Sequence, residues 1–156
     1  MAKYISWIIV ALDQLSKFLV RKFLPLGTEI LIIPGFFKLQ QSRNKGAAWG
    51  FLSEHSWGIY LLSGISLIVA VLLFFYSRKI KSKHLYLAIR ILLGGAVGNL
   101  IDRLLFAEVV DFLAFKFGSY NFPNFNLADT AISLAAVYLF VLILFKQDEF
   151  NELVAE

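Results

Sequence analysis

The sequence predicts an all-α membrane protein: four transmembrane helices, with a small β-structure on its outer surface. Three observations predict it. Hydrophobic residues make up 59% of the 156 and charged residues only 17%, where a soluble domain carries about a quarter charged. Mean hydropathy is +0.72. Four apolar runs recur at 4–23, 57–76, 85–105 and 128–145, each close to the roughly 20 residues that cross hydrocarbon. The outer segments are 24–56 and 106–127, and 1–156 reads as a single membrane-embedded domain.

The first span runs from Tyr4 to about Phe23 and carries DQLSK, Asp13 to Lys17, inside it. It lacks a small-x-small cleavage site, so it reads as a helix and not as a cleaved leader. Asp13 and Lys17 are four apart and share one helical face. They are expected to pair, to brace a polar site between helices, or both. Pro25 and Gly27 then end the helix. Glu29–Ile33 and Phe36–Gln41 are β-prone and flank Pro34-Gly35, which predicts a hairpin. Its apolar residues call for lipid or a greasy ligand. In RNKGAAWGF, Arg43–Phe51, Asn44 is a candidate cap or backbone clamp. Trp49 suits a short interfacial helix at headgroup depth, or a substrate-contacting loop.

Trp57–Tyr76 holds no charge and is the second span. Arg78, Lys79, Lys81 and Lys83 follow it, and a short loop this basic reads as cytoplasmic. With four spans, both termini share that side. In the third span, Arg90 is expected to snorkel to the basic interface, and Gly94 and Gly98 allow a close helix neighbour. The fourth span follows an aromatic-rich connection.

The net charge is +4. It lies mostly beside apolar runs, and no nucleic-acid motif accompanies it, so lipid headgroups are the expected partner. There are no cysteines, which removes disulfides, thiolate metal sites and cysteine nucleophiles. His55 and His84 fall on opposite sides of the membrane, which argues against a histidine site.

The acidic residues between Gly94 and Asp129 gather at one depth, near the outer interface. Asp102 and Arg103 end the third span, with Asn99 one turn before them. Asn126 and Asp129 open the fourth, and Asp111 lies in the short connection between, near Glu108. Acids near a bilayer core are rare and mark function. Two carboxylates within reach share a proton, so one serves as base and the other as acid. Such acids also hold divalent cations or line ion paths. Structural roles stand beside these: Asn126 as N-cap with Asp129 on the helix dipole, Asp102–Arg103 as an interfacial pair, Asp111 as a solvated loop residue.

DQLSK, NKGAAWGF, GGAVGNLIDR, VVDF and FNLAD occur in that order and together resemble the lipoprotein signal peptidases of bacteria, over nearly the whole chain. The resemblance implies four membrane helices, a small extracytoplasmic β-sheet cradle and an aspartyl dyad at Asp111 and Asp129. It places Asp13, Lys17, Asn44, Asn99, Asp102, Arg103 and Asn126 around that dyad, with no metal and no cofactor. The implied substrate is a diacylglyceryl-prolipoprotein, cut before the modified cysteine by a monomer in the cytoplasmic membrane, near its outer face. Ala107 stands where many family members have glycine, which makes the local turn a point of interest.

Overall fold

A computed structural model describes residues 2–46, 55 and 57–146. After a short 3-10 turn at Ala2–Tyr4, the order is α1 (Ile5–Phe23), β1 (Glu29–Ile33), β2 (Phe37–Asn44), α2 (Gly58–Ser77), α3 (Lys83–Phe106), β3 (Val109–Phe117), β4 (Tyr120–Asn121) and α4 (Leu127–Phe145). The segment read as an interfacial helix around Trp49 lies outside the described residues.

Among the described residues, three of the four α-helices, α2, α3 and α4, are long and apolar enough to cross a membrane. α1 is interrupted by Asp13, Lys17, Arg21 and Lys22 and is not among them. The outer faces of α2 and α4 expose Ile68, Leu72, Phe75, Leu134, Val137 and Phe140. Such an apolar exterior suits hydrocarbon. α3 is the central helix and is buried by its neighbours.

Small residues on α3 set the helix packing. A Cβ on Gly94 would meet Ile9 Cβ at 2.9 Å, and one on Gly98 would meet Asp13 Oδ2 at 2.7 Å, so both face α1. A Cβ on Gly95 would meet the Ala128 carbonyl oxygen at 2.5 Å, so Gly95 faces α4. Contacts from Ser6 to Arg90 and from Arg21 to Asp102 make α1 and α3 parallel. Those from His84 to Tyr138 and from Asn99 to Asp129 make α4 antiparallel to α3. Arg90 is buried, and its guanidinium donates to the Lys3 carbonyl oxygen at 3.0 Å, at the N-terminal end of α1.

At the other end of the helices lies a four-stranded antiparallel sheet in the order β1-β2-β3-β4. The β1–β2 hairpin matches the sequence expectation, but the sheet is larger. The connection holding Asp111 is not an irregular loop; it is the nine-residue strand β3, paired along β2. A register shift between Leu39 and Ser42 sets Ser42 opposite Asp111. Phe37, Phe115 and Phe125 stack with centroids 4.5 and 5.7 Å apart. Val20, Leu24, Val110 and Phe112 form the core that joins sheet to α1.

Candidate active site

Two chain reversals bring the site together. α3 ends at Ala107, which adopts a left-handed conformation with φ of 53° and lets the chain turn directly into β3. After β4 the chain returns, and Phe125 bridges to Leu113 of β3. That bridge seats Asn126, the N-cap of α4, beside Asp111. Asn126 and Asp129 form a reciprocal capping box: Asn126 Oδ1 accepts from Asp129 N at 2.9 Å, and Asp129 Oδ2 accepts from Asn126 N at 3.2 Å. Such caps contribute about 1 kcal/mol. Here the cap also orients a carboxylate.

Each aspartate is held by amide donors. Asp111 Oδ1 accepts from Asn126 Nδ2 at 2.7 Å and Oδ2 from Asn44 Nδ2 at 3.2 Å. Asp129 Oδ1 accepts from Asn99 Nδ2 at 2.7 Å. Asn126 is thus bonded to both acids and also donates to Asn99 Oδ1 at 3.2 Å. Asp111 is only 3% exposed, so it is no solvated loop residue. Burial pushes its carboxyl up to about 7, and the negative charge of Asp129 adds to the rise; the Asn44 and Asn126 donors and Lys17 pull the other way.

Behind the acids lies a buried charge ladder between α1 and α3. Asp13, Lys17 and Asp102 are fully buried. Lys17 Nζ pairs with Asp13 at 2.9 Å and Asp102 at 3.4 Å, and donates to Asn99 Oδ1 at 3.0 Å. Asp13 Oδ1 accepts from Ala128 N at 2.9 Å, and Asp102 Oδ2 from Val110 N at 3.2 Å. Each of these amides precedes one of the two aspartates in the chain. The pairing expected of Asp13 and Lys17 and the bracing expected of them are therefore one network.

Asp102 and Arg103 part company. Asp102 turns to Lys17 and Arg21 of α1, whereas Arg103 lines the cavity and donates from Nη1 to Ser66 Oγ at 3.3 Å. Consecutive residues on a helix point about 100° apart, so they do not act as a pair. Glu108 is paired with Arg43 at 3.2 Å. Two residues in the network carried no sequence signal: Arg21, which resembled ordinary interfacial charge, and Gln14, which donates to Asp13, Asp102 and the Gly98 carbonyl.

Asp111 and Asp129 open into one cavity of about 1010 Å³. Asn44, Asn99 and Arg103 give it a polar floor, and Phe122, Phe125, Ile132 and Leu134 an apolar wall. It reaches the upper end of the range for ligand pockets, roughly 300–1,000 Å³. A sequence model of the signal peptidase (SPase) II family matches residues 5–145. The chain belongs to that family. A lipoprotein signal peptidase of Bacillus pumilus (strain SAFR-032) is 42% identical over 142 residues, 90% of each chain. One of Listeria monocytogenes serotype 4a (strain HCC23) is 40% identical over 140 residues, 89% of this chain and 90% of the relative. Two solved structures, each described as a bacterial membrane enzyme determined in meso, superpose with TM-scores of 0.83 and 0.82 at 32% and 31% identity. The first covers 92% of this chain and 87% of its own, the second 93% of each. Signal peptidase II enzymes are aspartic-type proteases that remove signal peptides from prolipoproteins.

Proposed function

We propose that Asp111 and Asp129 are the catalytic dyad of this signal peptidase II, and that it cuts a diacylglyceryl-prolipoprotein just before the modified cysteine. One observation carries the reading: two aspartates from different elements open into a single cavity and are bridged by one asparagine. The cavity suits a lipidated peptide. Its apolar wall matches acyl chains, and its polar floor matches a peptide bond.

In the resting state Asp129 is the ionised member and Asp111 the protonated one. Asp129 lies in the first turn of α4, where the helix dipole favours negative charge. Asp111 is buried and faces that charge. The two titrate as a coupled pair, so this names the dominant microstate. Asp129 takes a proton from a water between the acids as the water attacks the scissile carbonyl carbon. Asp111 donates its proton to the developing oxyanion. Collapse breaks the C–N bond. The proton on Asp129 passes to the leaving amine, and the carbonyl's proton returns to Asp111. Asn99 and Asn126 hold the carboxylates in orientation, and Asn44 fixes the second oxygen of Asp111. Arg103, whose buried Nε has no partner among the described residues, is a donor for a substrate carbonyl. Asp13, Lys17 and Asp102 support the site and do not react.

We read α1 as a fourth span, since its buried charges face α3 and its outer face carries Trp7, Leu12, Leu15 and Phe18 exposed. The basic residues between α2 and α3 put both termini in the cytoplasm and the sheet and dyad at the outer face of the bacterial membrane. We read the protein as a monomer among membrane lipids. The test is purified protein in detergent with two precursor peptides, one carrying diacylglyceryl on its cysteine and one bare. Shortening of the lipidated peptide alone is expected; equal turnover of both overturns the substrate assignment.

A further inference from the structure

We propose that Arg21 is a positioning residue for this reaction, acting on Asp111 through Asp102. The inference rests on Asp111 belonging to the dyad. Asp13, Lys17 and Arg21 recur every four residues and so form one stripe on α1. Arg21 Nη2 donates to Asp102 Oδ1 at 3.0 Å, and its guanidinium lies over the Phe106 ring at 4.1 Å from the centroid. Its side chain is half-buried and its Nη1 is buried with no partner among the described residues, so the Asp102 carboxylate is where this cation is anchored.

The consequence runs along a short path. Asp102 is fully buried and uses both oxygens: Oδ1 takes Arg21 and Gln14, while Oδ2 takes Val110 N and lies 3.4 Å from Lys17. Val110 is bonded in sequence to Asp111. Two carboxylates and two cations make the ladder neutral. Without Arg21 the ladder carries a net negative charge. Lys17 then becomes the sole cation for both acids, and Asp102 swings toward it. That rotation draws Oδ2 off Val110 N and frees the start of β3. Asp111 then loses its alignment with Asn126 and Asn44. Lys17 meets Asp129 through Asn99, and Asp13 meets Ala128 N, so the other acid has its own supports. The effect of Arg21 is therefore one-sided.

The charged groups facing Asp111 are Lys17 from α1, Arg103 from α3 and Asp129 from α4. Lys45 lines the same cavity, and Arg43 of β2 is paired with Glu108. Removing the Arg21 cation leaves these in place and shifts the balance toward the protonated acid. Loss of the Asn126 and Asn44 donors acts in the same direction.

The test compares Arg21→Met, which keeps the stem over Phe106, with Arg21→Lys, which keeps the charge. Cleavage of the lipidated precursor and amide hydrogen exchange are measured on each full-length protein. Arg21→Met is expected to lower kcat about tenfold or more, as expected when a reacting group is misplaced by a fraction of an ångström. KM should stay within about twofold, the basic limb of the kcat profile should move up by ~0.3 pH units or more, and exchange should speed up at Val110 but not at Ala128. Arg21→Lys restores most of kcat and leaves the limb in place. Should Arg21→Met fail to fold, Arg21→Gln carries the same expectation. Unchanged exchange at Val110, or unchanged kcat per folded molecule, overturns the proposal. Activity of Asp111→Asn and Asp129→Asn decides the dyad separately, so the two failures are distinguishable.

Discussion

Replacing Gly95 with alanine tests whether the α3–α4 contact sets the catalytic geometry. The added Cβ would lie 2.5 Å from the Ala128 carbonyl oxygen and 2.7 Å from Ile132 Cγ1. The first is backbone and cannot rotate away. Ordinary contact starts at 3.4 Å, so α4 must retreat from α3 by about 0.9 Å, an overpacking that costs ~1–3 kcal/mol. Alanine recovers about 1 kcal/mol of helix propensity, which leaves a net loss of roughly 0–2 kcal/mol. Catalysis is hit harder. Ala128 precedes Asp129, and Asn99, which holds Asp129, lies one turn from Gly95. A displacement near 1 Å at reacting groups costs on the order of 100-fold. The assay pairs thermal unfolding in detergent with cleavage of a lipidated precursor. The control is Gly64→Ala on α2, where the new methyl meets nothing within 4 Å and stability should rise slightly. Wild-type turnover in Gly95→Ala would refute the reasoning.

Three further outcomes are expected. Asp111 is raised from 3.8 to about 7 in the fold, so its contribution to stability is full below pH 3.8 and is lost as pH rises through about 7; unfolding midpoints measured across pH 4–8 should lose this slope in Asp111→Asn, and an unaltered slope counts against the assignment. Ala107 sits at φ 53°, where a Cβ costs roughly 1 kcal/mol, so Ala107→Gly should raise the unfolding temperature and leave cleavage unchanged; a lowered temperature refutes the strain. Changing Asp13 and Lys17 together to leucine removes the supports of Ala128 N and Asn99 and leaves buried Asp102 with Arg21 as its one cation among the described residues, so both stability and activity should fall by a factor set by ~1–3 kcal/mol for an unpaired buried group; full stability with lost turnover contradicts a bracing role.

Much of this arrangement is legible in the residues. The charge-free run Trp57–Tyr76 and the apolar run before Phe145 match α2 and α4 to within a residue or two, because length and hydropathy alone define such helices. Asp13 and Lys17 pair because a helix puts i and i+4 together, and Asn126 caps because its side chain reaches the amide three residues on. Strand β3 was hidden. VVDFLAFKF is nearly continuously apolar, with no period of two, and β2, with which it pairs, lies some 70 positions earlier. Arg21 was hidden for a related reason. Basic residues at a helix end normally meet headgroups, and only the parallel packing of α1 on α3 brings Asp102 within its reach. The divergence of Asp102 and Arg103 follows from the helical turn but needs the neighbouring helices to have meaning.

The most direct measurement is single-turnover cleavage of a diacylglyceryl precursor by Asp111→Asn and Asp129→Asn, each checked for wild-type folding by its unfolding profile. Both folded variants should leave the precursor intact over times in which the native enzyme consumes it. Appreciable conversion by both would show that these carboxylates do not do the chemistry.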